Sequence, residues 1–92
     1  MREIRWTGKA LSDLERLYAF LAPKNEQAAK RVLKTLISAP NILVTNPRIG
    51  EQLFQFAPRE VRRLLISDYE MRYELRDSDI FVLRIWHTRE QR

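Results

Sequence analysis

The single histidine of this 92-residue chain, His87, stands in the run Trp86-His87-Thr88-Arg89. Histidine is the one side chain that exchanges a proton near neutrality without a large pKa shift, which makes it the natural acid–base candidate. Paired with arginines, it points to phosphodiester chemistry. The imidazole would protonate a leaving 5′-oxygen while guanidinium groups hold the phosphate in bidentate contact. Arg62, Arg63, Arg72, Arg84 and Arg89 are the candidates for that cradle. A base to activate a ribose 2′-hydroxyl is also required, and Glu51 and Glu60 are the nearest to fitting, although no pattern singles them out.

A structural reading competes at each of these positions. A histidine at a strand end more often caps a core or bonds a carbonyl, and an arginine-rich stretch is more often a solvated sheet face. Trp6 and Trp86 offer surfaces on which bases stack, but indole area is used more often for packing. The chain has only Gly8 and Gly50, so no phosphate-binding glycine loop can be built, and it has no cysteine. Thiolate metal sites and cysteine nucleophiles are therefore excluded, and one histidine excludes a histidine-rich centre. No metal or cofactor is expected.

The elements that must position these residues follow from periodicity. Glu3 to Trp6 alternates as a short strand. Thr7 is placed to cap a helix whose apolar stripe is Ala10, Leu11, Leu14, Leu17, Tyr18 and Leu21, with Lys9, Asp13, Glu15 and Arg16 off it. That helix should end before Pro23. Asn25 is placed to cap a second helix with Ala29, Val32, Leu33, Leu36 and Ile37 on one face, the two forming a hairpin. Pro40 predicts a kink or a short helical extension, and Asn46-Pro47-Arg48-Ile49-Gly50 a turn.

Beyond Leu53 the period changes to that of strands. Val61 to Ile66 forms one, and Glu70 to Arg76 a second in which Met71, Tyr73 and Leu75 alternate with charged residues. Ile80 to His87 is the last. Placing Phe81, Leu83 and Ile85 on the core face predicts a hairpin that pairs Leu75 with Phe81, Tyr73 with Leu83 and Met71 with Ile85 around a three-residue loop, Asp77 to Asp79. The same register sets Arg72 against Arg84 on the outer face, where Glu70 and Glu74 must neutralise them or an external anion must. The expected fold is α+β, with an N-terminal strand and a two-helix hairpin packed on an antiparallel sheet. A single domain over residues 1–92 is expected, since two halves of this length would each be marginal.

The chain carries 17 Lys+Arg against 12 Asp+Glu, a formal net charge of +5. Such a balance favours polyanions or an acidic protein as partner. With 45% hydrophobic residues the chain has a core to bury and is not disordered. The start, Met1-Arg2-Glu3-Ile4, has no apolar segment behind its charge, and no stretch approaches a membrane span. A cytoplasmic location without membrane contact is expected.

Taken in order, several segments together resemble the RelE/ParE superfamily of bacterial type II toxin–antitoxin toxins. They are Ile4-Arg5-Trp6 followed by Ala10…Asp13-Leu14; the second helix running into Asn46-Pro47-Arg48-Ile49-Gly50; Arg59-Glu60-Val61-Arg62-Arg63-Leu64; Tyr69…Tyr73; and Val82-Leu83-Arg84-Ile85-Trp86-His87-Thr88-Arg89. The last is the most distinctive, because many ParE-like or plasmid-stabilisation members close their final strand with His-x-Arg. The resemblance covers nearly the whole chain.

It implies a RelE/ParE-like fold and a cognate antitoxin held in a hetero-oligomer, with no membrane role. It also implies one of two targets: ParE-type toxins poison DNA gyrase, whereas RelE-type toxins cut mRNA in the ribosomal A site. As a nuclease, the chain would use His87, Arg62 and Arg63 as catalytic residues. Arg59, Arg72, Arg84, Trp86 and Arg89 are the residues the resemblance assigns to binding the target or the antitoxin. The chain departs from the nuclease pattern: Glu51 to Phe56 stands where a lysine-rich segment is typical, no tyrosine follows the last strand, and Pro40 interrupts the second helix. Inhibition by binding needs no proton transfer and is the less demanding reading. A toxin fold that retains only antitoxin binding is a third.

Overall fold

The computed structural model describes residues 2–90. Strand β1 (Ile4–Trp6) leads into helix α1 (Gly8–Leu21) and helix α2 (Glu26–Ser38). Both caps are the expected ones. Thr7 Oγ1 accepts the Ala10 N–H at 3.2 Å and donates to the Val82 carbonyl at 2.8 Å, tying the helix start to the sheet. Asn25 Oδ1 accepts the Ala28 N–H at 3.0 Å. Pro40 acts as foreseen: α2 stops, a 3-10 turn spans Ala39–Asn41, and one further turn, α3 (Ile42–Thr45), follows.

The sheet comprises β2 (Glu51–Gln52), β3 (Glu60–Ile66), β4 (Tyr69–Arg76), β5 (Asp79–His87) and β1, in the order β1-β5-β4-β3-β2. Strands β2 to β5 pair antiparallel, and β1 joins β5 in parallel at the edge, so the sheet is mixed. The helices cover one face. Leu14 and Leu17 of α1 and Leu36 of α2 meet Met71, Val82 and Ile85, and Leu43 of α3 closes a second cluster with Tyr73, Leu75 and Ile80. Each fully buried aliphatic side chain of this kind contributes about 1.5–3 kcal/mol.

The predicted hairpin is only half right. Met71 does pair with Ile85 and Arg72 with Arg84, but Tyr73 pairs with Val82 and Leu75 with Ile80. Leu83 is therefore an extra residue on β5, a bulge that reverses the side-chain parity. Ile80 and Val82 take the core face, fully buried, in place of Phe81 and Leu83. The turn correspondingly shortens to Asp77-Ser78, with Asp77 at φ 58°. Leu11 and Ile37, assigned to apolar stripes, are about half exposed at 50% and 51%.

Among the described residues, no helix is long and apolar enough to cross a membrane.

Candidate functional site

Strand β5 outruns β1. Past Val82 its outer edge has no neighbouring strand, and α1 supplies the missing partners. Asp13 Oδ2 accepts the Ile85 N–H at 2.8 Å, and Arg16 Nη2 donates to the Ile85 carbonyl at 3.1 Å. Glu90 Oε1 takes the next edge donor, the His87 N–H, at 2.8 Å and is bonded by Arg16. Arg84 joins Arg16 on the Asp13 carboxylate, its Nε 2.8 Å from Asp13 Oδ2.

Asp13 is 2% exposed. Burial pushes its carboxyl upward, but bonds from Arg84, the Ile85 N–H and Arg16 outweigh that and hold it below the ordinary carboxylate range. Periodicity alone places Asp13 off the apolar stripe of α1, yet it is buried against the sheet. The signal was nonetheless present, since Asp13 lies three residues after Ala10 and four before Leu17, positions that face the sheet.

His87 ends this edge. Its Nδ1 accepts the Arg89 N–H at 3.1 Å, which leaves the proton of the neutral ring on Nε2. Its ring stands edge-on to Tyr69 at 5.2 Å. Burial, then the charges of Asp68 and Glu90, push the Tyr69 hydroxyl above its ordinary pKa. Both rings line a cavity of about 420 Å³ walled by Leu17, Phe20 and Leu21 of α1, with Arg89 and Glu90 at its rim. Phe20 is 63% exposed there, under the Lys24 ammonium.

The other predicted residues lie elsewhere. His87 stands opposite Tyr69 and Arg62 opposite Tyr73, four positions further along β4. Strand geometry separates them by roughly 13 Å along the sheet and about 10 Å across it. Arg62 and Arg63 project from opposite faces of β3. Arg62 is committed internally: Nε to Glu60 at 2.9 Å and Nη1 to the Gly50 carbonyl at 2.7 Å. Arg63 bonds Glu51 at 2.7 Å and lies 3.6 Å from Glu70.

The two proposed bases are therefore partners of arginines. The bond from Arg48, and after burial's opposing effect that from Arg62, holds Glu60 below its ordinary pKa, which makes it a weaker proton acceptor. His87, Arg62 and Arg63 do not converge on one point.

Arg59 clasps Glu74 through two bonds of 2.9 and 3.1 Å. Arg72 lies against the rings of Phe56 and Trp86, at 5.1 and 4.9 Å, and 3.8 Å from Glu70. Of the two carboxylates expected to answer the Arg72–Arg84 opposition, Glu70 does so on one side, whereas Glu74 is taken up by Arg59, and Asp13 answers it on the other. Trp86 is 5% exposed, so it packs the outer face and offers little surface to a partner. Arg89 is exposed, and among the described residues it makes no ion pair.

The family model for the ParE toxin of the type II toxin-antitoxin system, parDE, matches residues 4–92. The chain belongs to the ParE toxin family. It is thus the toxin half of a type II toxin–antitoxin module, whose implied counterpart is a cognate antitoxin, and the resemblance read from its segments stands. Two relatives come from Caulobacter vibrioides. Toxin RelE1 is 32% identical over 91% of this chain and 90% of its own length, and Toxin RelE2 is 28% identical over 96% and 97%. A chain of the chromosomal ParDE TA system from P. aeruginosa has the same fold, with a TM-score of 0.77 at 21% identity, covering 95% of this chain and 96% of that one.

Proposed function

We propose that this ParE-family toxin arrests growth by binding DNA gyrase, and that its cognate antitoxin silences it by occupying part of its surface. The observation that carries the reading is the dispersal of the acid–base machinery. His87 lies far from Arg62 and Arg63, and those arginines are tied to Glu60, Glu51 and the Gly50 carbonyl. A phosphoryl-transfer site needs a proton donor and cations within hydrogen-bond reach of one substrate. An inhibitory binding surface needs only shape and charge. The cavity beside His87 supports this: of the candidate cradle arginines only Arg89 lines it, and the Glu90 carboxylate there is already paired with Arg16.

The Caulobacter relatives carry RelE names, so ribosome-dependent mRNA cleavage is the competing outcome. Adding the purified chain to a gyrase supercoiling assay and to a translation extract separates the two. Loss of supercoiling with intact message is expected. Full supercoiling with message cut at the ribosomal A site overturns the proposal in favour of an endoribonuclease.

A further inference from the structure

The cavity beside His87 combines apolar walls with polar groups of one kind. Leu17, Phe20 and Leu21 of α1 and the Tyr69 ring make its interior apolar, and a volume of about 420 Å³ suits one small molecule. The polar groups around it divide by whether they are already bonded. Every nitrogen of the Arg16 guanidinium is committed, to Asp13, to the Ile85 carbonyl and to both oxygens of Glu90. The Glu90 carboxylate is filled in turn. It takes bonds of 3.0 and 3.1 Å from Arg16 and one of 2.8 Å from the His87 backbone N–H.

The lining groups left without a partner among the described residues are the His87 Nε2–H, the Tyr69 hydroxyl and the Arg89 guanidinium. All of them donate hydrogen bonds. The imidazole carries its proton on Nε2 because Nδ1 accepts the Arg89 N–H at 3.1 Å. Burial, with the charges of Asp68 and Glu90, keeps the Tyr69 phenol protonated. An apolar space bordered by open donors and a carboxylate already filled suits a ligand with an apolar body and an acceptor-only, anionic head. The surrounding charge agrees. Arg16, Arg89 and Lys24, whose ammonium lies 4.2 Å from the centroid of the Phe20 ring, stand against Glu90 and Asp68.

We propose that this cavity binds a small carboxylate with an apolar body, its head on the Arg89 and His87 donors and its tail among Leu17, Phe20 and Leu21. Other occupants satisfy only part of the site. A bare oxyanion such as phosphate meets the donors but must be desolvated against apolar walls. A neutral apolar molecule fills the walls and leaves the donors it covers unpaired. An ammonium head meets cations where it needs acceptors. The site depends on neither gyrase nor the ribosome as target, and its test involves neither.

Titration of the ¹⁵N-labelled chain with phenylbutyrate tests the assignment. Phenylbutanol and phenylbutylamine share its apolar body and differ in the head, whereas inorganic phosphate supplies an anion without the body. Phenylbutyrate should shift the Leu17, Phe20, Leu21 and Tyr69 amides to saturation. The alcohol should bind about tenfold more weakly for lack of charge-assisted bonds, and the amine more weakly still. Phosphate at the same concentration should leave those amides unmoved.

Two variants divide head from body. Arg89 is exposed and outside the ion pairs, so Arg89→Gln keeps the fold and should bring phenylbutyrate down to the affinity of the alcohol. Leu21→Trp narrows the cavity without touching the donors and should abolish binding of acid and alcohol alike. Shifts on another surface, phosphate moving the same amides, or full phenylbutyrate affinity in either variant overturns the proposal. Equal affinity for acid and alcohol in the parent chain overturns it too, and makes the cavity a seat for an apolar side chain of a protein partner.

Discussion

Asp13 of α1 holds the backbone N–H of Ile85 on β5, at 2.8 Å, across 72 residues of sequence. Together with the bond from Arg16 to the Ile85 carbonyl, one helix turn reproduces the donor and acceptor that a neighbouring strand would present. The helix layer is thereby locked to the sheet in position as well as by packing. A carboxylate so enclosed is stable because three donors repay its desolvation.

Replacing Asp13 should therefore unlock the interface. Asp13→Ala is expected to cost about 2–4 kcal/mol, since a buried N–H and two arginines lose a charged acceptor. Asp13→Asn keeps one acceptor and should cost roughly half as much. Urea unfolding followed by circular dichroism measures both. An Ala variant as stable as the parent would show that the bonds add nothing beyond packing.

The same carboxylate predicts a pH response. Asp13, Glu60, Glu74 and Glu90 all have folded pKa values below their unfolded ones, so more protons bind to the unfolded chain in acid. The stability they contribute is complete above the unfolded carboxylate values, about 3.9 to 4.3, and drains away as pH falls through the lower folded values. Unfolding free energy should fall steeply below about pH 4, and Asp13→Asn should flatten that slope. A parallel slope in the variant would remove Asp13 from the account.

Tyr73 offers a test on the far side of the core. Its hydroxyl accepts the Gly50 N–H at 3.0 Å and donates to the Pro47 carbonyl at 2.8 Å, fastening the loop that precedes β2. Tyr73→Phe should cost about 1–3 kcal/mol by stranding a buried N–H. Gly50→Ala should also destabilise, because its Cβ would lie 2.5 Å from the Arg63 carbonyl oxygen and 2.7 Å from the Tyr73 hydroxyl. Thermal melts of the two variants, read against the parent, check both.

Much of this architecture was legible because its causes are local. Thr7 and Asn25 announce their helices by cap chemistry, and Pro40 breaks α2 wherever it is placed. The bulge at Leu83 had no such signature. Ile80-Phe81-Val82-Leu83 is apolar on both parities, because Phe81 and Trp86 are needed against Arg76 and Arg72 on the outer face. Pairing partners distant in sequence decide the register there. The arginines were visible as residues but not as pairs, since Arg84 meets its carboxylate 71 positions away and Arg59 meets Glu74 only through the fold.

That pairing changes what charge reversal should do. Arg84→Glu sets a second carboxylate beside Asp13 and is expected to lower stability by about 2–4 kcal/mol before any partner is considered. Arg89→Glu, at an exposed residue outside these pairs, should alter stability by no more than about 0.5 kcal/mol. Its effect belongs to association, weakening affinity for an acidic partner and softening the salt dependence. Calorimetric titration beside a thermal melt distinguishes them. Equal loss of fold in both would mean that the C-terminal run is structural throughout.

His87 decides between binding and catalysis. Its ring packs edge-on to Tyr69, its backbone N–H is held by Glu90, and its Nδ1 is occupied by the Arg89 N–H. Those contacts are structural, and losing the ring should cost about 0.5–1.5 kcal/mol. Under a gyrase-binding mechanism, His87→Ala should leave growth inhibition within about threefold of the parent once expression is matched, because no proton is transferred. Under a nuclease mechanism, removal of the general acid should reduce cleavage about 10²–10⁴-fold. His87→Gln separates the effects further, since it preserves a polar side chain of similar reach but cannot act as the acid. Toxicity lost in both variants, with the fold and antitoxin binding intact, would transfer this toxin to the enzymes.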